Sequence, residues 1–339
     1  MTTHSRRLVF GAAAAFFFEA CAPHERPAAV SPLDRAGETL EADTRSLCAL
    51  GPRVTGFDVC SRAEEWAAAR FRESGLAVRL ESWEWPAHPP GAATPRNVVA
   101  ELPGGDRVGE IVLLAAHLDT VAGSPGANDD AVNVALVLGV ARAVRAAGPA
   151  RRSLRFVLFT GEEEKLLGSR AYVKAHAKEL GAHVLVVVYD LGSAPTQGFY
   201  LNGRKEELRA LFQRALSARE AWRSLFGLYT VWEGTDSFSF VEAGIPVLSA
   251  YQDLAPYRAV HHSERDTLET VDFAASRANA ALAAALVNGV ADDPEPALRR
   301  MTPEETAALL ARHGLGGTPP AVSASARPTA LPEAGPARP

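Results

Sequence analysis

Five short stretches carry the residues best suited to chemistry. Residues 161–169 (GEEEKLLGS) hold three consecutive glutamates, Glu162, Glu163 and Glu164. His117 and Asp119 stand two residues apart, a spacing that in an extended chain points both side chains the same way. Asp129 and Asp130 follow in a small-residue loop, Gly126-Ala127-Asn128-Asp129-Asp130. Asp190 comes directly after an apolar run, and His261, His262 and Asp266 close the set. Each stretch alone has an ordinary structural explanation. Acidic side chains at a helix N-terminus gain about 0.3–1 kcal/mol from the helix dipole, and an Asp pair ahead of a helix can cap it. Together they form a mixed histidine and carboxylate set, which suits zinc or a similar divalent ion better than a thiolate-bound structural site does. Two histidines and three carboxylates exceed what one catalytic zinc takes. They suit two ions ~3.5–4 Å apart that share a bridging carboxylate, activate a water and clamp a carbonyl or phosphoryl oxygen. The adjacent Glu162 and Glu163 could then supply a ligand and a proton carrier. A carboxylate beside an imidazole, as with Asp119 and His117, is the usual way to set the tautomer of a metal-binding histidine.

Such a set works only if rigid elements bring it together. Residues 111–116 (IVLLAA), 154–159 (LRFVLF) and 184–189 (VLVVVY) are apolar runs of the kind found in central strands covered on both faces. Residues 78–85, 97–102 and 246–250 read as further strands. Helical patterns occupy residues 63–74, 131–147, 169–180, 205–218 and 273–290, and the three glutamates read as the opening of a helix after the strand 154–159. This alternation predicts an α/β fold over residues 32–293: one three-layer domain, with a mixed and centrally parallel β-sheet and helices on both faces. Ligands of such sheets gather beyond the C-terminal ends of the strands. The candidates obey that rule, falling after the runs that end at residues 116, 159, 189 and 250.

With 339 residues and 47% hydrophobic content, the chain can bury one large core. Its formal charge of −5 is spread over mixed signs, and no basic stripe is present, which argues against nucleic acid as a partner. We expect a monomer. Arg6 and Arg7 followed by the apolar residues 8–18 (LVFGAAAAFFF) read as a signal segment over residues 1–21, placing the mature chain outside the cytoplasm: secreted, periplasmic or in the cell envelope. Cleavage before Cys21 with lipid attached there would tether it to a membrane; simple secretion is the alternative. Cys48 and Cys60 then remain, either as a disulfide or as two free thiols. Residues 294–313 form a C-terminal extension with a short helix opened by Thr302-Pro303-Glu304-Glu305. Residues 314–339, rich in Gly, Pro, Ala and Ser, are expected to be disordered.

In their order and gaps these motifs resemble the secreted di-zinc exopeptidases of metallopeptidase family 28. The resemblance runs from residue 50 to 272. It includes Leu50-Gly51-Pro52-Arg53, residues 97–104 (NVVAELPG), Gly234-Thr235-Asp236 and His262-Ser263-Glu264-Arg265-Asp266-Thr267. It implies peptide substrates and two Zn2+ ions bound by His117, Asp129, Glu163, Asp190 and His262. His117 and Asp190 would sit on different ions, with Glu163 and His262 completing the pairs and Asp129 bridging. Glu162 would be the general base, Asp119 would orient His117, Asp266 would support the site near His262, and Asp236 would lie behind the ligands or beside the substrate. Glu164 is left as a solvated helix residue. His261 stands where many members have tyrosine, and Lys165 where many have glycine. The implied activity is that of an aminopeptidase. Glutaminyl-peptide cyclisation with one zinc, carboxypeptidase or dipeptidase action, and a non-catalytic binding domain are the alternatives. Residues 196–202 and 222–233 are expected to shape the pocket for the terminal side chain.

Overall fold

The computed structural model describes residues 30–85, 89 and 91–315, within a compact unit that begins at Ser31. The signal segment 1–21, the lipid site at Cys21 and tail residues 316–339 lie outside the described residues. The strands are β1 (Ala77–Ser82), β2 (Arg96–Leu102), β3 (Arg107–His117), β4 (Arg152–Phe159), β5 (His183–Val188), β6 (Gly198–Asn202), β7 (Phe226–Leu228) and β8 (Val247–Tyr251). They form one sheet in the order β1-β2-β4-β3-β5-β8-β6-β7. The four central strands β4, β3, β5 and β8 run parallel, and antiparallel pairs flank them. The expected centrally parallel mixed sheet is therefore present.

The helices are α1 (Leu40–Cys48), α2 (Asp58–Glu73), α3 (Val132–Ala147), α4 (Leu167–Ala175), α5 (Lys205–Ala215), α6 (Ser237–Glu242), α7 (Leu254–Arg258), α8 (Phe273–Asp292) and α9 (Pro303–Arg312). Strand alternation divides the core into two layers. Val112, Leu114, Phe156, Leu158 and Leu185 join α1, α2, α3, α5 and α8 on one face. Leu113, Ala115, Val157, Val186 and Val188 join Tyr172 of α4 and Phe240 of α6 on the other. α3 is apolar nearly all round because it is covered by the sheet on one side and by α1 and α8 on the other.

Two expectations change, and one open alternative is resolved. The glutamates 162–164 precede α4, which begins only at Leu167, with Lys165 and Leu166 at φ +67° and +62°. Left-handed backbone at two successive residues turns the chain before the helix can start. Gly168 then lets α4 approach the end of β4, since a Cβ there would lie 2.2 Å from the Thr160 carbonyl oxygen. Cys48 and Cys60 are free thiols, one ending α1 and the other packed inside α2, where burial pushes the Cys60 thiol well up. The C-terminal extension belongs to the domain: α9 has the expected capping box at Thr302 and Glu305, and Met301 and Leu309 are buried in the second core layer. Order continues past Gly314, because the Leu315 N–H donates to the Leu310 carbonyl.

Candidate metal centre

β3 delivers His117 at its last residue, 1% exposed, and the chain then turns through Leu118 and the fully buried Asp119. The loop to Asp129 is fastened by Arg53, itself fully buried. Its guanidinium donates to the carbonyls of Leu118 (2.8 Å), Pro125 (2.9 Å) and Gly126 (2.9 Å), and its N–H donates to the Thr120 hydroxyl. Asp266 holds the far end of the same loop. One carboxylate oxygen accepts from the Asn128 N–H (2.8 Å) and side-chain amide (3.1 Å), the other from the Asp129 N–H (3.0 Å). Asp266 thus supports Asp129 directly, and reaches His262 only through the chain between them.

Asp119 joins the histidine strand to the glutamate turn. Its carboxylate accepts from the Thr55 hydroxyl (2.8 Å) and from the N–H groups of Glu162 (3.2 Å) and Glu163 (3.3 Å). It also faces His117 Nδ1 at 3.6 Å. The other imidazole nitrogen, Nε2, therefore points into the site. Nε2 lies 3.1 Å from Asp129 Oδ1 and 3.8 Å from Asp190 Oδ1. The second oxygen of Asp129 faces the opposite way, 3.5 Å from Nε2 of both His261 and His262, and His262 Nε2 lies 2.9 Å from Glu163 Oε2. Two close groups result, with Asp129 common to both: His117 with Asp190, and His262 with Glu163.

His117 and Asp190 thus share one close group, whereas the resemblance implied that they sit on different ions. β3 and β5 are neighbours in the sheet, so the residues at and just past their C-terminal ends emerge side by side. Glu162 makes a further close group with His117 and Glu163. Asp130 is no part of the donor set, since its carboxylate accepts from the His117 N–H and the Asn133 amide. Asp236 is fully buried at the N-terminus of α6 and absent from the cavity wall; burial pushes its carboxyl up to about 7. Glu164 is half-buried, not solvated.

The electrostatics are those of a cation site. Burial, together with the neighbouring Asp190 charge, raises the Glu162 carboxyl well above its usual range. Burial does the same for Asp190 and, less strongly, for Glu163. Asp129 is lowered despite its burial, because His117, His261 and His262 surround it. Asp190 Oδ2 and Glu163 Oε1 are buried with no hydrogen-bond partner among the described residues. Buried, unpaired carboxylate oxygens are costly unless a cation faces them, so the residues present fit a divalent cation.

The cluster forms the floor of a cavity of about 680 Å³. Leu166, Phe238, Tyr257 and Leu315 form apolar wall, and Arg170 pairs with Glu242 at 3.2 Å on the rim. Of the loops expected to shape this pocket, Glu233 does line it, whereas β6, within the segment 196–202, does not. Reading the sequence left the role of Arg53 unassigned; its one signal was an arginine in the Gly-Pro turn of residues 50–53.

The sequence profile described as Peptidase family M28 matches residues 97–287. Carboxypeptidase Q of Xenopus laevis is 30% identical over 205 residues, which is 60% of this chain and 43% of that protein. The chain spans about two fifths of the length of the carboxypeptidase Q relatives it matches. Among solved structures, a peptidase M28 precursor from Shewanella amazonensis superposes with a TM-score of 0.67 at 17% identity, covering 80% of this chain and 98% of that one. BSAP, a zinc aminopeptidase from Bacillus subtilis, superposes with a TM-score of 0.62 at 17% identity, covering 75% and 94%.

Proposed function

Because the chain belongs to peptidase family M28, we propose that it is a zinc-dependent exopeptidase, most simply an aminopeptidase, that hydrolyses the terminal bond of peptides. One observation carries this reading: the two oxygens of Asp129 face two histidines on opposite sides, at 3.1 Å for His117 and 3.5 Å for His262. Asp190 completes the first group and Glu163 the second. These five residues would hold two zinc ions, with Asp129 between them. Bound there, zinc would acidify water and polarise the scissile carbonyl.

The chain's own part is positioning and proton transfer. Glu162 lies at the cavity floor beside His117 and Glu163. It takes a proton from the attacking water and returns it to the nitrogen of the leaving amine, so no net proton is consumed. Burial raises its carboxyl well above the usual range, which suits a group that both takes and returns a proton. Asp119 fixes the backbone of Glu162 and Glu163 and faces the outer nitrogen of His117. The basic and apolar residues 5–18 support a site of action outside the cytoplasm.

The test is hydrolysis of free and N-acetylated peptides by zinc-loaded protein, with the metal counted. We expect release of N-terminal residues from free peptides only, about two zinc per chain, loss of activity with a chelator, and a kcat reduced by about 10²–10⁴-fold in Glu162→Gln. Turnover of acetylated peptides from the C-terminus would instead identify a carboxypeptidase. One zinc with cyclisation of N-terminal glutamine would identify a cyclotransferase.

A further inference from the structure

We propose that His261 is a further metal ligand, joining Asp129, Glu163 and His262 on one ion of the pair. This rests on the two-zinc reading above and adds a residue beyond the five named there. The distances carry the assignment. The Nε2 atoms of His261 and His262 each lie 3.5 Å from the same Asp129 oxygen, Oδ2. That is too long for a hydrogen bond. It is close to what a shared ion requires, since two donors each ~2.0–2.1 Å from zinc at a tetrahedral angle stand ~3.4 Å apart. The donor atoms of Asp129, His261 and His262 all lie within 4.8 Å of one another. Glu163 Oε2 is 2.9 Å from His262 Nε2, so four side chains converge.

The chain is bent to bring the two histidines together. In extended backbone, neighbouring side chains point to opposite sides. His262 instead has φ +58°, the left-handed conformation that residues other than glycine seldom adopt. The two imidazoles lie against each other, with centroids 3.6 Å apart and planes 27° apart. His261 is also held from α7. Its N–H donates to the Tyr257 carbonyl at 2.9 Å, and its ring meets the Tyr257 ring with centroids 4.7 Å apart. The Ser263 hydroxyl donates to the Val260 carbonyl at 2.6 Å and closes the turn. Strained backbone persists where its surroundings over-determine it, and it collects at ligand clamps. Stacking alone leaves the direction of the ring nitrogens open; here both Nε2 atoms face one carboxylate oxygen.

The two positions are therefore unequal. Four protein donors complete a tetrahedral zinc, as in a closed site. His117, Asp190 and Asp129 supply only three, which leaves a position open for a water or a substrate atom. Glu162, the proposed base, forms its close group with His117 and Glu163.

The experiment strips the metal and titrates zinc back in competition with a chromogenic chelator. It compares wild type with His261→Phe, which keeps an aromatic ring between Tyr257 and His262 but offers no nitrogen. We expect the affinity for one ion to fall by more than about tenfold, and by more than for the other ion. With cobalt in place of zinc, the visible absorption of the bound ion should weaken and shift in the variant, because a nitrogen ligand is lost. A fall of less than about tenfold, an equal fall at both ions, or an unchanged cobalt spectrum would overturn the assignment. If wild type turns over no peptide at all, the hydrolytic reading fails, and the titration still decides the role of His261.

Discussion

Neither Asp266 nor Arg53 lines the cavity, yet both hold the loop that carries Asp129. Asp266 does so with three accepted hydrogen bonds. Removing its carboxylate frees the backbone of Asp129 without touching the residues proposed to hold metal. Supports of this kind typically change metal affinity about 10–100-fold. We therefore expect Asp266→Ala to bind zinc about 10–100-fold more weakly and to recover most of its kcat at saturating zinc, measured by competition with a chromogenic chelator. Unchanged affinity would mean that the loop holds its shape through Arg53 alone. Arg53 is the cationic counterpart. Its charge is buried against three carbonyl oxygens, each of which would lose its partner on substitution, at about 1–3 kcal/mol apiece.

At the scale of elements, β3 and β5 lie side by side with β4 and β8 outside them, and the chain crosses over β3 in passing from β4 to β5. This is the reversal of strand order at which open parallel sheets bind their ligands. The opposite end of β5 carries a different device. His183 begins β5, its Nδ1 3.2 Å from the Glu179 carbonyl and its Nε2 3.0 Å from the Tyr172 hydroxyl. Burial, aided by the Arg155 charge, pushes its pKa from the ordinary 6.5 down to about 4. Between those values the unfolded chain binds the proton and the folded one does not, so stability rises with pH there. The contribution of neutral His183 is complete above pH 6.5 and declines as pH falls from 6.5 towards 4. Denaturant titrations of wild type and His183→Gln at pH 7 and pH 5 measure it. The variant should lose less stability than wild type on acidification. Equal losses would refute the claim.

For the whole molecule, the second core layer depends on the C-terminal extension. Met301 and Leu309 close it against Phe238 and Val241, and Leu315 continues to the cavity wall. α9 is thus structural and borders the site. Leu309→Ala should destabilise the protein by about 2–3 kcal/mol with an unchanged denaturant m-value. A loss below about 0.5 kcal/mol, the size of an ordinary surface effect, would show that the extension packs only loosely.

What could be read from the chain alone was set by local rules. The apolar runs at 111–116, 154–159 and 184–189 had to be covered strands, because periodicity and length leave little else. A parallel sheet then requires His117, Glu162, Glu163 and Asp190 to sit at its C-terminal edge. Grouping was another matter. That His117 shares a group with Asp190 follows from β5 lying next to β3, and strand order is set by crossovers between distant segments. No local pattern announced that Asp266 would grip Asp129 across 137 positions, or that Arg53 would fasten a loop 65 to 73 residues away. The start of α4 was misread because three glutamates look like a first helical turn, whereas left-handed backbone at Lys165 and Leu166 delays the helix to Leu167. Composition pointed to the candidate ligand types. Only the tertiary fold decided which ones meet, because contact between distant strand ends is a property of topology and not of spacing.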